Sequence, residues 1–304
     1  MSRFGLFVQD GLFGLPFRLV GAVIVWTCIA VAARGDPAMW VVRGPHATVY
    51  LFGTMHMLPR PATWFSPTVR AAFDRSEVLW EEADIGTGDP ARMMQILGQA
   101  VSTTDLFTLL SPKYASKLRL ELQKCGLPEV AVSHLQPWMA QMMPSLCAMM
   151  ADSAQGHTTA PELGPEATLA RAARAEKKAT AYFETAEQQI GYLSSGSEHS
   201  QVLRLEQAID EAASGLSSAF SQMETAWLSG DEAGLRVQVD QMRREDPAEY
   251  REIFVGRNAR FAERIAEMAR GHGTFFVAIG AGHLVGDDSV PAQLSKRGIA
   301  ARRL

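Results

Sequence analysis

What this 304-residue chain lacks narrows its function before any motif is found. Three cysteines and no Cys-x-x-Cys pair exclude a disulfide-framework domain and a zinc ribbon. There is no block of basic residues, and the formal net charge is −4. The chain therefore carries no footprint for a phosphate backbone, and no nucleic-acid partner is expected. No His-Glu-x-x-His helix is present, which excludes the zincin template, and Ser195-Gly196-Ser197 is not a Gly-x-Ser-x-Gly elbow. The run Gly280-Ala281-Gly282-His283-Leu284-Val285-Gly286 brings its third glycine one place late for a dinucleotide loop.

Long apolar runs are also scarce. The one that stands out covers residues 19–33, fifteen residues without a charge, preceded by Arg3 and Arg18 and containing Ala30-Val31-Ala32. Its length matches a signal-peptide core and falls short of a comfortable membrane span, and the small-x-small triplet is what a signal peptidase reads. Residues 1–32 are thus expected to be a signal peptide or an N-terminal anchor, with residues 33–304 as the folded domain. Either reading means export, periplasmic or secreted, with membrane attachment only through this segment if it stays uncleaved. Cys125 and Cys147 would then lie in an oxidising compartment, either paired or as two separate buried thiols.

What is present reads as an α/β protein: 47% hydrophobic and 20% charged residues, at a length that buries a sizeable core. Residues 48–52, 78–82, 179–183 and 274–279 are rich in β-branched, aromatic and other apolar residues and are predicted strands. The first two, with a short helix over 69–75 between them, form a strand–helix–strand unit that normally makes a parallel pair. A long helical middle, about 90–270, is punctuated at Ser111-Pro112, Gly126, Pro137, Ser229-Gly230 and Asp246-Pro247. The expected fold is a mixed, largely parallel sheet with flanking helices and this helical insertion between its two α/β parts. The methionines at 139, 142, 143, 149 and 150 are read as core filling.

The two α/β parts rhyme. The first strand runs into Gly53-Thr54-Met55-His56 and the last into Gly280-Ala281-Gly282-His283, so each is an apolar strand followed by Gly-x-x-His. Parallel strands would throw both histidines onto the carboxyl edge of the sheet, where open α/β sheets bind ligands. The second strand ends at Glu81-Glu82, whose side chains point to opposite faces, so one faces the site and the other is solvated. Glu184 ends the third strand; a glutamate there is ordinarily at the surface. Two histidines and one carboxylate are a first shell for a divalent metal. His46, His134, His157, His199 and His272 lie in no motif.

At these residues the sequence resembles the TraB/GumN family, which includes the Tiki-type extracellular proteases. The resemblance runs from about Met39 to the C-terminus. It is carried by Tyr50-Leu51-Phe52-Gly53-Thr54-Met55-His56, Glu81-Glu82-Ala83-Asp84, Phe183-Glu184-Thr185-Ala186-Glu187-Gln188, Arg257-Asn258 and Val277-Ala278-Ile279-Gly280-Ala281-Gly282-His283-Leu284. It implies a fold similar to erythromycin-esterase-like and ChaN-like proteins, with a C-terminal strand after the last motif. It also implies metal-dependent hydrolysis of a peptide or protein substrate, with manganese or cobalt favoured and zinc possible.

On that resemblance, His56, Glu82 and His283 are the metal ligands, and Glu82 is ligand or base. Arg257 stabilises an oxyanion or docks a substrate carboxylate. Gly164-Pro165-Glu166 stands where the family often has Gly-x-Asp, a departure that weakens any role for Glu166. The alternatives are an envelope metal or haem carrier and an accessory protein without catalysis.

Overall fold

The structure, a computed structural model, describes residues 36–56, 58, 63–84, 90–154 and 164–304. Residues 19–33, Asp89 and the loop at 161–163 lie outside the described residues.

Six strands form one sheet: β1 (Met39–Arg43), β2 (His46–Thr54), β3 (Val78–Ala83), β4 (Ala179–Glu184), β5 (His272–Gly280) and β6 (Ala301–Arg303). Their order is β4-β3-β5-β2-β1-β6. The four strands from β4 to β2 are parallel, and β1 and β6 complete the sheet antiparallel. The mixed, largely parallel α/β architecture is thus present. Short β1 extends it beyond the four strands legible from patterning.

The strand–helix–strand unit does not close as a direct pair. β5 lies between β2 and β3 and bonds to both. Composition explains the choice: Phe276 to Ile279 is apolar at every position and buried at every position, as a strand covered on both faces must be. The more polar β3 and β4 take the outer places.

Helices cover both faces. On one, Phe52, Trp64, Phe73, Trp227 and Phe276 pack together; on the other, Leu51, Val277 and Ile279 meet Phe261 and Ile265 of the helix Gly256–Arg270. Successive residues of β2 and β5 thus feed opposite cores, the period-2 alternation of a strand. After Asp246 the chain forms a short helix, Pro247–Tyr250, a π-helical turn, Arg251–Val255, and then the helix Gly256–Arg270. Such turns concentrate at functional sites, and this one immediately precedes Arg257.

The helical middle has a core of its own, formed by Leu106, Leu118, Leu122, Cys147, Leu205 and Ile209, and Cys125 is disulfide-bonded to Cys147 within it. Closing a loop of 22 residues restricts the unfolded chain by about 3 kcal/mol. Replacing both cysteines with serine should lower unfolding free energy by about that amount in urea titrations. A double variant as stable as the parent would remove the disulfide from the account of stability. Among the described residues, no helix is long and apolar enough to cross a membrane.

Candidate active site

The parallel register brings the two Gly-x-x-His segments side by side, because Gly53 pairs with Ile279 and Thr54 with Gly280. Both glycines have a steric reason. A Cβ on Gly53 would stand 3.0 Å from the Ala281 Cα, so glycine lets the turn that carries His283 settle against β2 without displacement. A Cβ on Gly280 would stand 3.2 Å from Glu82 Oε1, which accepts a 2.6 Å hydrogen bond from the Gly280 N–H. The helical turn Ala281–Leu284 then places His283 in the interior.

At the centre lies Arg257, buried and joined to two buried carboxylates. Its Nη2 donates to Glu82 Oε2 at 2.8 Å and to Glu184 Oε2 at 2.8 Å, while Nε donates to Glu184 Oε1 at 2.9 Å. The rings of Tyr192 and Phe261 lie 5.2 and 5.5 Å from the guanidinium carbon. Glu184, expected at the surface, is therefore an interior ion-pair partner. β4 ends beside β3, one residue beyond the position of Glu82 on its neighbour, and this delivers the carboxylate to the same edge.

Asn258 fixes the protonation pattern of His283. Its Nδ2 donates to the Asp288 carbonyl at 2.9 Å, so its Oδ1 is the atom facing His283 Nδ1 at 2.6 Å. An amide oxygen only accepts, so Nδ1 carries the proton and Nε2 offers a lone pair. That lone pair faces Arg257 Nη1 at 3.2 Å, with Glu82 Oε1 at 3.6 Å. Burial pushes the His283 imidazole down to about 4, and the adjacent guanidinium works in the same direction against Glu82; the ring is neutral at physiological pH. Phe254, held in the π-helical turn, packs its ring 5.1 Å from that of His283.

His56 sits at the rim. Its side chain is 70% exposed, and Glu166 Oε1 lies 2.8 Å from its Nδ1. That carboxylate pushes the imidazole up to about 9, with the charge of Glu82 adding to the effect. Glu166 thus has a partner at the site, contrary to the expectation from the Gly164-Pro165-Glu166 departure. The helix Pro165–Ala175 begins there and carries Glu166 in its first turn.

Glu82 is the inward member of the Glu81-Glu82 pair. Burial alone would raise its carboxyl, but the His283 ring, the Arg257 and His56 charges and the Gly280 N–H hold it down at about 2. Glu81, expected to be solvated, is half-buried, and burial with the nearby Glu166 charge pushes it up to about 7. The helix covering that side of β3 removes it from water.

The geometry thus joins His56, Glu82, Arg257 and His283 in one electrostatic cluster. It adds Glu184, Asn258, Glu166 and Gln189, whose Nε2 is 3.4 Å from Glu82 Oε2. Arg257-Asn258 was visible as a sequence pair, but the part played by Asn258 was not. The signal that would have pointed to Glu184 is positional: it is the last residue of a strand parallel to β3.

Residues 38–303 match the TraB/PrgY/gumN family. The chain belongs to that family. It is also 23% identical over 287 residues to an uncharacterized protein of Treponema pallidum (strain Nichols), an alignment that covers 88% of this chain and 83% of that one. No solved structure matches it.

The donors of this family member can be tested against a divalent cation. Among the described residues, no three His, Cys, Asp or Glu side chains form a ready cage. The Arg257 guanidinium, not an open space, lies between Glu82, Glu184 and His283. The donor types, two imidazoles and a carboxylate, are nonetheless those a divalent ion takes. Each histidine has its Nδ1 facing an oxygen, Glu166 for His56 and Asn258 for His283, which leaves Nε2 as the donor. That is how metal-ligating histidines are oriented. The 3.6 Å between His283 Nε2 and Glu82 Oε1 is close to the roughly 3.4 Å that separates two ligands of one tetrahedral ion with ~2.1 Å bonds.

Proposed function

We propose that this protein is a metal-dependent hydrolase, acting on peptide bonds, in which His56, Glu82 and His283 hold a divalent ion, manganese or cobalt by preference and zinc as the alternative. The observation that carries this reading is the pair of histidines, each with an oxygen within 2.8 Å of its Nδ1, together with a carboxylate that is buried and ionised. When bound, the ion supplies Lewis acidity toward the scissile carbonyl and toward water.

The chain's own residues divide the remaining work. Glu82, held near 2, is a poor proton acceptor at neutral pH, so its part is that of an ionised ligand, not the general base. Arg257 keeps Glu82 and Glu184 ionised and presents a cation beside the reacting centre, where it can hold a developing oxyanion or a substrate carboxylate. Phe254 and Phe261 exclude water from the His283 side. The Cys125–Cys147 disulfide supports the exported location that residues 1–32 suggest.

Because His56 is protonated up to about pH 9, binding a cation must expel that proton. The apparent affinity for Mn²⁺ should therefore rise about tenfold per pH unit from 7 towards 9 and then level off. Calorimetry in buffers of different ionisation enthalpy should find close to one proton released. Affinity independent of pH over that range would exclude His56 as a ligand.

Activity is tested by incubating the purified chain with peptide pools and Mn²⁺, Co²⁺ or Zn²⁺, with and without chelator. Cleavage that persists undiminished in chelator would end the metal reading. The second reading, an envelope metal or haem carrier, is favoured by one observation: the buried carboxylate facing the histidines is held far below neutrality and cannot serve as the base. Tight binding of Mn²⁺ or haem without turnover would decide for it.

A further inference from the structure

At the opposite edge of the sheet lies a second feature that the hydrolase reading does not use. A pocket of about 360 Å³ opens where β1 ends, where the helix Gly256–Arg270 ends and where β6 begins. Three arginines line it, Arg43, Arg270 and Arg302, and no acidic residue does. All three are exposed, and among the described residues none of their side chains has a hydrogen-bond or ion-pair partner. Arg303, next in the chain, by contrast bonds Glu232.

The clustering is imposed by the fold. A Cβ on Gly44 would collide with the Ala269 carbonyl oxygen, so the β1–β2 turn lies directly on the helix end, and Arg43 and Arg270 line the same pocket. Pairing of Val41 with Arg302 places the third guanidinium on the neighbouring strand. Arg270 alone would complement the negative end of its helix. Arg43 and Arg302 have no such role, and a pocket lined by three arginines and no carboxylate favours an anion. The remaining wall is apolar, with Val41, Pro45 and Ile299.

The geometry points to a binding site for a phosphate-bearing ligand, its charged end gripped by Arg43, Arg270 and Arg302 and an apolar portion resting on Val41, Pro45 and Ile299. The guanidinium fork suits phosphate oxygens, and the volume suits a small organic phosphate or a lipid headgroup. His56 follows the far end of β2, about eight residues or roughly 25 Å from this edge, so the pocket is separate from the candidate active site.

The test uses the full chain and two probes, inorganic pyrophosphate and vesicles of phosphatidylglycerol in phosphatidylcholine. Pyrophosphate should bind saturably, and the triple variant Arg43→Ala/Arg270→Ala/Arg302→Ala should bind at least about tenfold more weakly. The variant Arg75→Ala/Arg244→Ala/Arg251→Ala loses the same charge from exposed positions elsewhere and should bind like the parent. So should Glu82→Gln. Melting without ligand confirms that each variant folds. Binding of the vesicles that depends on the three arginines and exceeds pyrophosphate binding would identify a lipid headgroup as the source; the reverse would identify a free phosphate compound. Absence of binding to both probes, or equal loss in the two triple variants, would overturn the site.

Discussion

Replacing Arg257 with leucine should cost about 3–5 kcal/mol of unfolding free energy at pH 7, because it leaves Glu82 and Glu184 buried without their cation. The leucine preserves most of the apolar stem that packs on Phe261, so the loss reports mainly the charge. Urea unfolding measures it, and adding Glu82→Gln and Glu184→Gln to the same chain should recover a large part. A loss below about 1 kcal/mol would show that water or mobility relieves the carboxylates.

The pH dependence has a definite sign. The folded Glu82 carboxyl, at about 2, lies below its ordinary 4.5, so its contribution is complete above pH 4.5 and drains away as the pH falls toward 2. In Arg257→Leu that acid-side loss should shrink or reverse, since an uncompensated buried carboxylate gains from protonation.

The second large effect concerns turnover. Glu82→Gln keeps the side-chain volume and can still accept from the Gly280 N–H, but removes the charge that faces His283 and Arg257. Under the hydrolase reading, peptide cleavage should fall about 10³-fold, equivalent to about 4 kcal/mol of transition-state stabilisation, while the fold melts within a few degrees of the parent. His283→Ala should lose activity comparably. Asn258→Ala should weaken Mn²⁺ binding about 10–100-fold, because it frees the ring without removing the donor. A Glu82→Gln enzyme within about fivefold of parental turnover would remove Glu82 from the chemistry.

The histidines of this site were legible because their placement is local. An apolar strand followed by Gly-x-x-His delivers its imidazole just beyond the sheet edge, wherever that strand sits. Glu82 was legible up to a choice between two adjacent residues, and the choice depended on which face of β3 the central strand would cover. Glu184 and Glu166 could not be read this way. A glutamate at a strand or helix end is ordinarily solvated, and only the arrival of Arg257 and His56 from 73 and 110 residues away gives these two their partners.

The central position of β5 was likewise beyond local reading. Patterning recognised it as buried, yet the unit β2–helix–β3 suggested that those two strands would pair directly. The alternation of side chains, the glycine-terminated strands and the punctuated helices follow from dihedral preference and burial period, which act over a few residues, and these the sequence by itself determined. The order of strands, the guanidinium between Glu82, Glu184 and His283 and the arginine-lined pocket at the far edge depend on which distant segments meet. Tertiary structure decided them, because whether a buried charge is tolerated is a balance of desolvation against partners that no short window of sequence contains.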